Sequence, residues 1–335
     1  MEQWESAEWR QEVTGWVDRQ LATNGRTRTG DLEVERLRPW GTVLRAPTTA
    51  GTVFMKAPAP ASAFEAGLYQ LLVEVVPDRV LHPIALDVEA GWLLLPDGGP
   101  VLGEQLDGED LLDSLAEVAG QYAQMQLDLA PHVDRLLALG LTDMRPERMA
   151  ERFDEALVVA RRGAGAEGGP EKAAALDRVA DLRAPFEGWC QRLAGAPGSP
   201  TLDHNDLHGG NVFAEGQPGA LQARFFDWGD AVVAHPFASA LVLRSVVRWM
   251  LGVDTETPRE RAIIDAYLQP FASLAPHEEL VEIVEVACEV AKVARALVWA
   301  RAVAALAPGD DDPDGFASAP LGWMLELLDG RLAPT

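Results

Sequence analysis

The feature that most limits the fold of this chain is a change of hydrophobic period near residue 97. Before it, short segments alternate polar and apolar residues; after it, apolar residues recur at helical spacing. Residues 32–38 (LEVERLR), 42–46 (TVLRA) and 52–56 (TVFMK) read as three strands, separated by turns at Pro39-Trp40-Gly41 and Thr48-Thr49-Ala50-Gly51. Residues 62–75 read as a helix, with Ser62 as N-cap and Glu65 three residues later in capping-box spacing. Residues 79–87 and 91–96 read as two further apolar strands. An amphipathic helix over residues 3–22 precedes them, with Trp4, Trp9, Val13, Trp16, Val17 and Leu21 at helical spacing. Residues 1–97 are thus expected to form a leading helix and a five-stranded antiparallel sheet, with one helix inserted after the third strand.

After Asp97-Gly98-Gly99-Pro100, residues 108–129, 145–162, 171–194, 236–251, 258–273, 276–306 and 320–331 read as helices. A loop over 163–170 (GAGAEGGP) separates two of them, and residues 201–228 read as short strands and loops. A chain of 335 residues with 48% hydrophobic content can bury a sizeable core. The expected class is α+β: two coupled lobes, residues 1–97 and a larger, mainly helical 98–335. No run of 18 uncharged apolar residues is present, which argues against a membrane span. The acidic start MEQWESAEWRQEV lacks the apolar region of a signal peptide. The two cysteines, Cys190 and Cys288, lie far apart and read as free thiols of a reducing cytoplasm. A net charge of −24 argues against nucleic acid or anionic membranes as partners. It suits a cationic small molecule, or serves only solubility.

The segment that carries chemistry is residues 202–230, LDHNDLHGGNVFAEGQPGALQARFFDWGD. His204-Asn205-Asp206 leads, five residues after Asp206, to Asn211. A hairpin follows, and its second strand ends at Phe225-Phe226 with Asp227 just beyond. Phosphoryl transfer asks a protein mainly to position a hydroxyl and to neutralise phosphate charge. A carboxylate beside the acceptor hydroxyl orients it and takes its proton late. Magnesium takes oxygen ligands, typically a carboxylate and an amide completed by phosphates and water. Asp206 on a loop, with Asn211 and Asp227 flanking a hairpin, offers one base and two such ligands. Asp, Asn and Gly are also ordinary turn formers, so the information lies in the whole spacing and not in any one residue.

This segment resembles the aminoglycoside phosphotransferase and choline kinase group, whose pattern is roughly His-Gly-Asp-Leu-His-x-x-Asn followed by an Asp-Trp. The resemblance implies a two-lobed protein-kinase-like fold, Asp206 as catalytic base, Asn211 and Asp227 as magnesium ligands, and ATP or GTP as co-substrate. Two departures stand out. Asn205 replaces the usual glycine, and His235-Pro236-Phe237-Ala238-Ser239 stands where the group shows Gly-Asp-Pro and Asp-Leu-Ala. Asparagine enters left-handed conformations, so the first departure suits a turn.

A kinase-like first lobe needs a lysine on its third strand for the α- and β-phosphates, and a glutamate on the next helix to hold it. Lys56 closes the third strand, and it is one of only three lysines in the chain. Glu65 is the expected partner, with Glu74 as runner-up. A GxGxxG loop is missing; Thr42 and backbone N–H groups of the first hairpin are the candidates for phosphate contact. Pro96 and Gly98 are placed at a hinge, where their C=O and N–H would meet a nucleotide base.

The expected activity is transfer of a γ-phosphoryl group to a hydroxyl of a small molecule: an aminoglycoside or other antibiotic, an amino alcohol, or a sugar. The alternative is a nucleotide-binding pseudokinase that regulates a partner. A protein kinase is disfavoured because no Ala-Pro-Glu follows Asp227-Trp228-Gly229. Candidate substrate contacts are Asp230, the helix face of Glu147, Glu151, Asp154 and Glu155, and the acidic loop 310–314.

Overall fold

The computed structural model describes residues 2–167, 169–306, 312 and 315–329. Its first part is a five-stranded antiparallel sheet in the order β1-β2-β3-β5-β4. The strands are β1 (Glu33–Arg38), β2 (Gly41–Thr48), β3 (Gly51–Pro58), β4 (Ala85–Asp87) and β5 (Trp92–Pro96). Helix Ala7–Thr23, N-capped by the Ser6 hydroxyl, buries Val13, Trp16, Val17 and Leu21 on one sheet face against Leu44, Val53, Met55 and Leu94. Helix Phe64–Val75 belongs to the opposite face, where Leu93 joins Leu68, Tyr69 and Leu72. Adjacent Leu93 and Leu94 enter separate cores, as strand alternation demands. The α+β class and the five-stranded antiparallel sheet expected from the sequence are therefore present.

Several local expectations need correction. Ser62 does not cap helix Phe64–Val75; it ends a short 3₁₀ turn, Pro60–Ser62, and its hydroxyl donates to the Gly229 carbonyl at 3.1 Å. The strand expected over 79–87 shrinks to Ala85–Asp87, because Pro83 has no N–H to give a ladder. The loop expected over 163–170 is largely helix. Helix Pro146–Glu167 runs on because Ala160 and Ala164 are buried in the large core, and helix Gly169–Asp181 starts at once. The helix expected over 171–194 breaks at Leu182. Pro185, which a helix interior cannot hold, then stands in the first turn of helix Arg183–Ala194.

The remaining part is mainly helical. Helix Gly108–Leu129 and helix His277–Ala302 run through its core, with Ala240–Leu251, Pro258–Leu268 and Ala319–Leu325 packed around them. A small mixed sheet of three-residue strands sits at the site: β6 (Thr142–Met144), β7 (Thr201–Asp203) and β10 (Val232–Ala234), in the order β6-β10-β7. The hairpin β8 (Val212–Glu215) and β9 (Gln222–Phe225) matches the expected one. Among the described residues, no helix is long and apolar enough to cross a membrane.

Candidate active site

The cross-strand register puts Lys56 on the cleft face of the sheet. It stands opposite Val43 on β2 and Leu93 on β5, and both neighbours turn to the same side. Its ammonium donates to Glu65 Oε1 at 2.7 Å and to Asp227 Oδ1 at 2.5 Å. Glu65 is fully buried and also accepts from the Trp228 backbone N–H at 3.0 Å, so one carboxylate fixes both the lysine and the chain after Asp227. Asp227 itself is left-handed, at φ 62°. Its neighbours hold it there: the Gly229 carbonyl accepts from Ser62 at 3.1 Å and from Arg301 Nη2 at 2.9 Å. Glu74, the runner-up, pairs with Arg135 at the surface instead.

A cavity of about 580 Å³ opens beside this cluster. The stacked rings of Phe213 and Phe226, 4.3 Å apart, form one wall, and Phe54 and Leu95 contribute to the lining from the sheet. Pro96 and Gly98 line it too. A side chain at Gly98 would come within 2.6 Å of the Phe213 ring, so the glycine is needed for close packing there. Thr42 lines no part of it. Its buried hydroxyl donates to the Arg36 carbonyl at 3.1 Å, which corrects the expectation that it faces phosphate.

A second cavity of about 230 Å³ adjoins the first, and Arg36, Lys56, Glu65 and Asp227 line both. Asp206, Asn211, Asp230, Trp40, Trp299 and Arg295 line the second. β7 delivers Asp206 through a left-handed Asn205, at φ 61°. The buried Asp203 carboxylate accepts from the Asn205 N–H at 3.0 Å, from its Nδ2 at 3.2 Å and from the Ser239 hydroxyl at 2.6 Å. Asparagine thus satisfies at this turn what glycine would manage by freedom alone. His204 is buried, which holds its imidazole below the usual value; neutral, its Nε2–H donates to the Phe226 carbonyl at 2.9 Å. That bond ties the Asp206 loop to the end of the hairpin.

Asp206 Oδ1 accepts from Arg295 Nη2 at 2.6 Å, and Oδ2 accepts from Asn211 Nδ2 at 3.0 Å. Burial pushes the Asp206 carboxyl up, but Arg295, with His208 3.4 Å away, outweighs it and holds the group well below the usual range. Asp227 behaves alike: burial raises it, and Lys56 and Arg36 bring it far down. Asp230 is pushed up by burial, despite Arg295 Nη1 at 2.8 Å.

Among the described residues, no group of three His, Cys, Asp or Glu side chains forms a metal cage. The oxygens on offer, one Asp227 carboxylate and the Asn211 amide, suit a hard cation that shares its shell with phosphates.

Arg295, Arg36 and the pair Trp40 and Trp299 were not legible as site residues. Arg295 left one signal: it and Lys292 are the basic residues of an otherwise apolar stretch of helix His277–Ala302. The other acidic candidates are engaged elsewhere: Glu151 with Arg148, Glu155 with Arg152 and Asp154 with Arg183, while Glu147 lines neither cavity. Of the acidic loop, Asp312 caps the turn at Phe316, and residues 310, 311, 313 and 314 lie outside the described residues.

No curated protein matches the chain in sequence. Solved structures share its fold. An ethanolamine kinase of Plasmodium vivax aligns with a TM-score of 0.59 at 12% identity, over 88% of this chain and 81% of that one. A choline kinase of Streptococcus pneumoniae aligns at 0.56 and 12%, over 95% and 99%. A macrolide 2′-phosphotransferase of Brachybacterium faecium aligns at 0.55 and 18%, over 91% and 97%. The model of the phosphotransferase enzyme family matches residues 41–280, which take in the third-strand lysine, the Asp206 loop and Asp227. The chain therefore belongs to the phosphotransferase enzyme family.

Proposed function

We propose that this chain transfers the γ-phosphoryl group of ATP or GTP to a hydroxyl of a small molecule, with residues 1–97 and 98–335 forming the two walls of the site. The observation that carries the reading is the junction of the two cavities at Lys56, Glu65 and Asp227, with Asp206 in the second. Lys56, fixed by Glu65, meets the α- and β-phosphates; the Phe213–Phe226 wall, Pro96 and Gly98 take the base. Asn211 and Asp227 would hold magnesium, which when bound neutralises phosphate charge. The acceptor hydroxyl sits at Asp206. Its oxygen bonds to the γ-phosphorus as the bond to the β–γ bridging oxygen breaks, giving a phosphate ester and a nucleoside diphosphate. The proton passes to Asp206. A carboxylate held this acidic is a weak base, so it orients the hydroxyl first and takes the proton late, as a loose transition state allows.

The structural relatives act, by name, on ethanolamine, choline and macrolides. An amino alcohol, an antibiotic or a sugar fits the same chemistry here. Against the pseudokinase alternative stand Lys56, Asp206, Asn211 and Asp227, any of which a binding module could lose. The test is a screen of nucleoside diphosphate release with magnesium and ATP or GTP over aminoglycosides, macrolides, amino alcohols and sugars. One class should stimulate release. Tight nucleotide binding with no stimulation by any hydroxylated compound would favour the pseudokinase instead.

A further inference from the structure

β1 is an edge strand, and its pairing with β2 slips by one residue. Glu33 stands opposite Arg45 and Val34 opposite Leu44, but Arg36 stands opposite Val43. Strict alternation would set Glu35 opposite Val43 and turn Arg36 to the far face. The bulge instead brings Arg36 to the cleft, in a row with Val43 and Lys56 across three strands. Glu35, the extra residue, is taken by Arg45 at 3.0 Å. The Thr42 hydroxyl fastens the bulge through the Arg36 carbonyl.

The guanidinium ends at the junction itself. Arg36 Nη2 donates to Asp227 Oδ2 at 3.0 Å, and the side chain remains half-exposed. The hairpin turn beside it is poorly equipped to cover phosphate. Pro39 has no N–H, and the Trp40 ring is packed edge-on against Phe316 at 5.0 Å and Trp299 at 5.9 Å. The turn is thus tied to the helical wall, and its backbone is not a glycine-rich cradle.

We infer that Arg36 binds the γ-phosphoryl group of the nucleotide, a step that rests on the nucleotide reading above. The planar fork of a guanidinium matches phosphoryl oxygens, and Arg36 is the cation at the junction whose own side chain stays half-exposed, whereas Lys56 is held by the buried Glu65. A divalent cation held by Asp227 would compete with Arg36 for that carboxylate and would free the guanidinium for the transferring group. Arg36 so supplies with a side chain what a glycine-rich loop supplies with backbone N–H groups.

The test is calorimetric titration of magnesium-ATP and magnesium-ADP into the wild type, Arg36→Met and Arg36→Lys. Arg36→Met should lose about tenfold or more in ATP affinity, the size of a charge-assisted hydrogen bond, while ADP affinity changes by less than about threefold. Arg36→Lys should recover part of the loss. Equal losses for both nucleotides, or none, would overturn the inference and leave the nucleotide reading standing. A wild type that binds neither nucleotide would overturn that reading, and this inference with it.

Discussion

The two cavities that meet at Asp227 are neutralised in opposite ways. On the side proposed for the nucleotide the cations come from the sheet, and both reach across the cleft to Asp227. Lys56 reaches Glu65 nine residues on, and Arg36 remains half-exposed. On the acceptor side the cation is Arg295, 89 residues from Asp206 and nearly fully buried between Asp206 and Asp230, with its guanidinium over the Trp299 ring. A half-exposed guanidinium can change partners at little cost. One sealed between two carboxylates is part of the wall. On the proposed reading, the same charge serves ligand exchange on one side and fixed geometry on the other.

The largest effect should come from the shared point. Asp227→Ala removes the carboxylate that Lys56 and Arg36 contact and that is assigned to magnesium. Loss of several kcal/mol of charge stabilisation lowers turnover by about a thousandfold or more. Calorimetry should show nucleotide affinity that no longer depends on magnesium; an unchanged dependence would remove the metal role from Asp227.

The next test breaks the comparison itself. Arg295→Met removes a buried guanidinium and strands the two part-buried carboxylates it pairs, and should cost up to about 3–5 kcal/mol of stability in urea unfolding. Arg36→Met, which opens a half-exposed pair, should cost less than about 1 kcal/mol. Similar losses for both variants would mean that the two sides are not built differently.

A smaller effect is expected at Asn205. Asn205→Ala puts an ordinary side chain at φ 61° and should cost about 1–2 kcal/mol. Asn205→Gly, free of that penalty, should cost less in the same unfolding measurement. If the alanine variant is the more stable of the two, backbone strain is not what asparagine relieves there.

The same division explains what could be read in the sequence. The sheet, the lysine at the end of β3 and the spacing from Asp206 through Asn211 to Asp227 are local patterns, and they are legible because period and spacing survive in one dimension. Lys56 stood out because lysine is so rare in this chain. Arg36 was hidden by a single-residue slip, since alternation read straight along β1 points it away from the cleft. Arg295 was hidden by distance, although a basic residue in the apolar stretch of a long helix was a usable sign. β6 and β10, at three residues each, are too short to show any period. Thr42 was misplaced because a hydroxyl near a hairpin turn looks available until the bulge claims it. The glycine- and alanine-rich stretch after residue 162 read as a loop, yet core packing on Ala164 carries the helix through it.

The decisive question is whether phosphorus leaves the nucleotide for an organic hydroxyl under the control of Asp206. Phosphorus NMR of the protein with magnesium-ATP, and with the acceptor found by screening, measures this directly. The wild type should produce one phosphate ester per ADP formed. Asp206→Asn should slow that signal by about 10²–10⁴-fold while its calorimetric affinity for magnesium-ATP stays within about threefold of wild type. Ester formation at an undiminished rate in the variant, or ADP that appears with free phosphate and no ester in the wild type, would contradict transfer under that control.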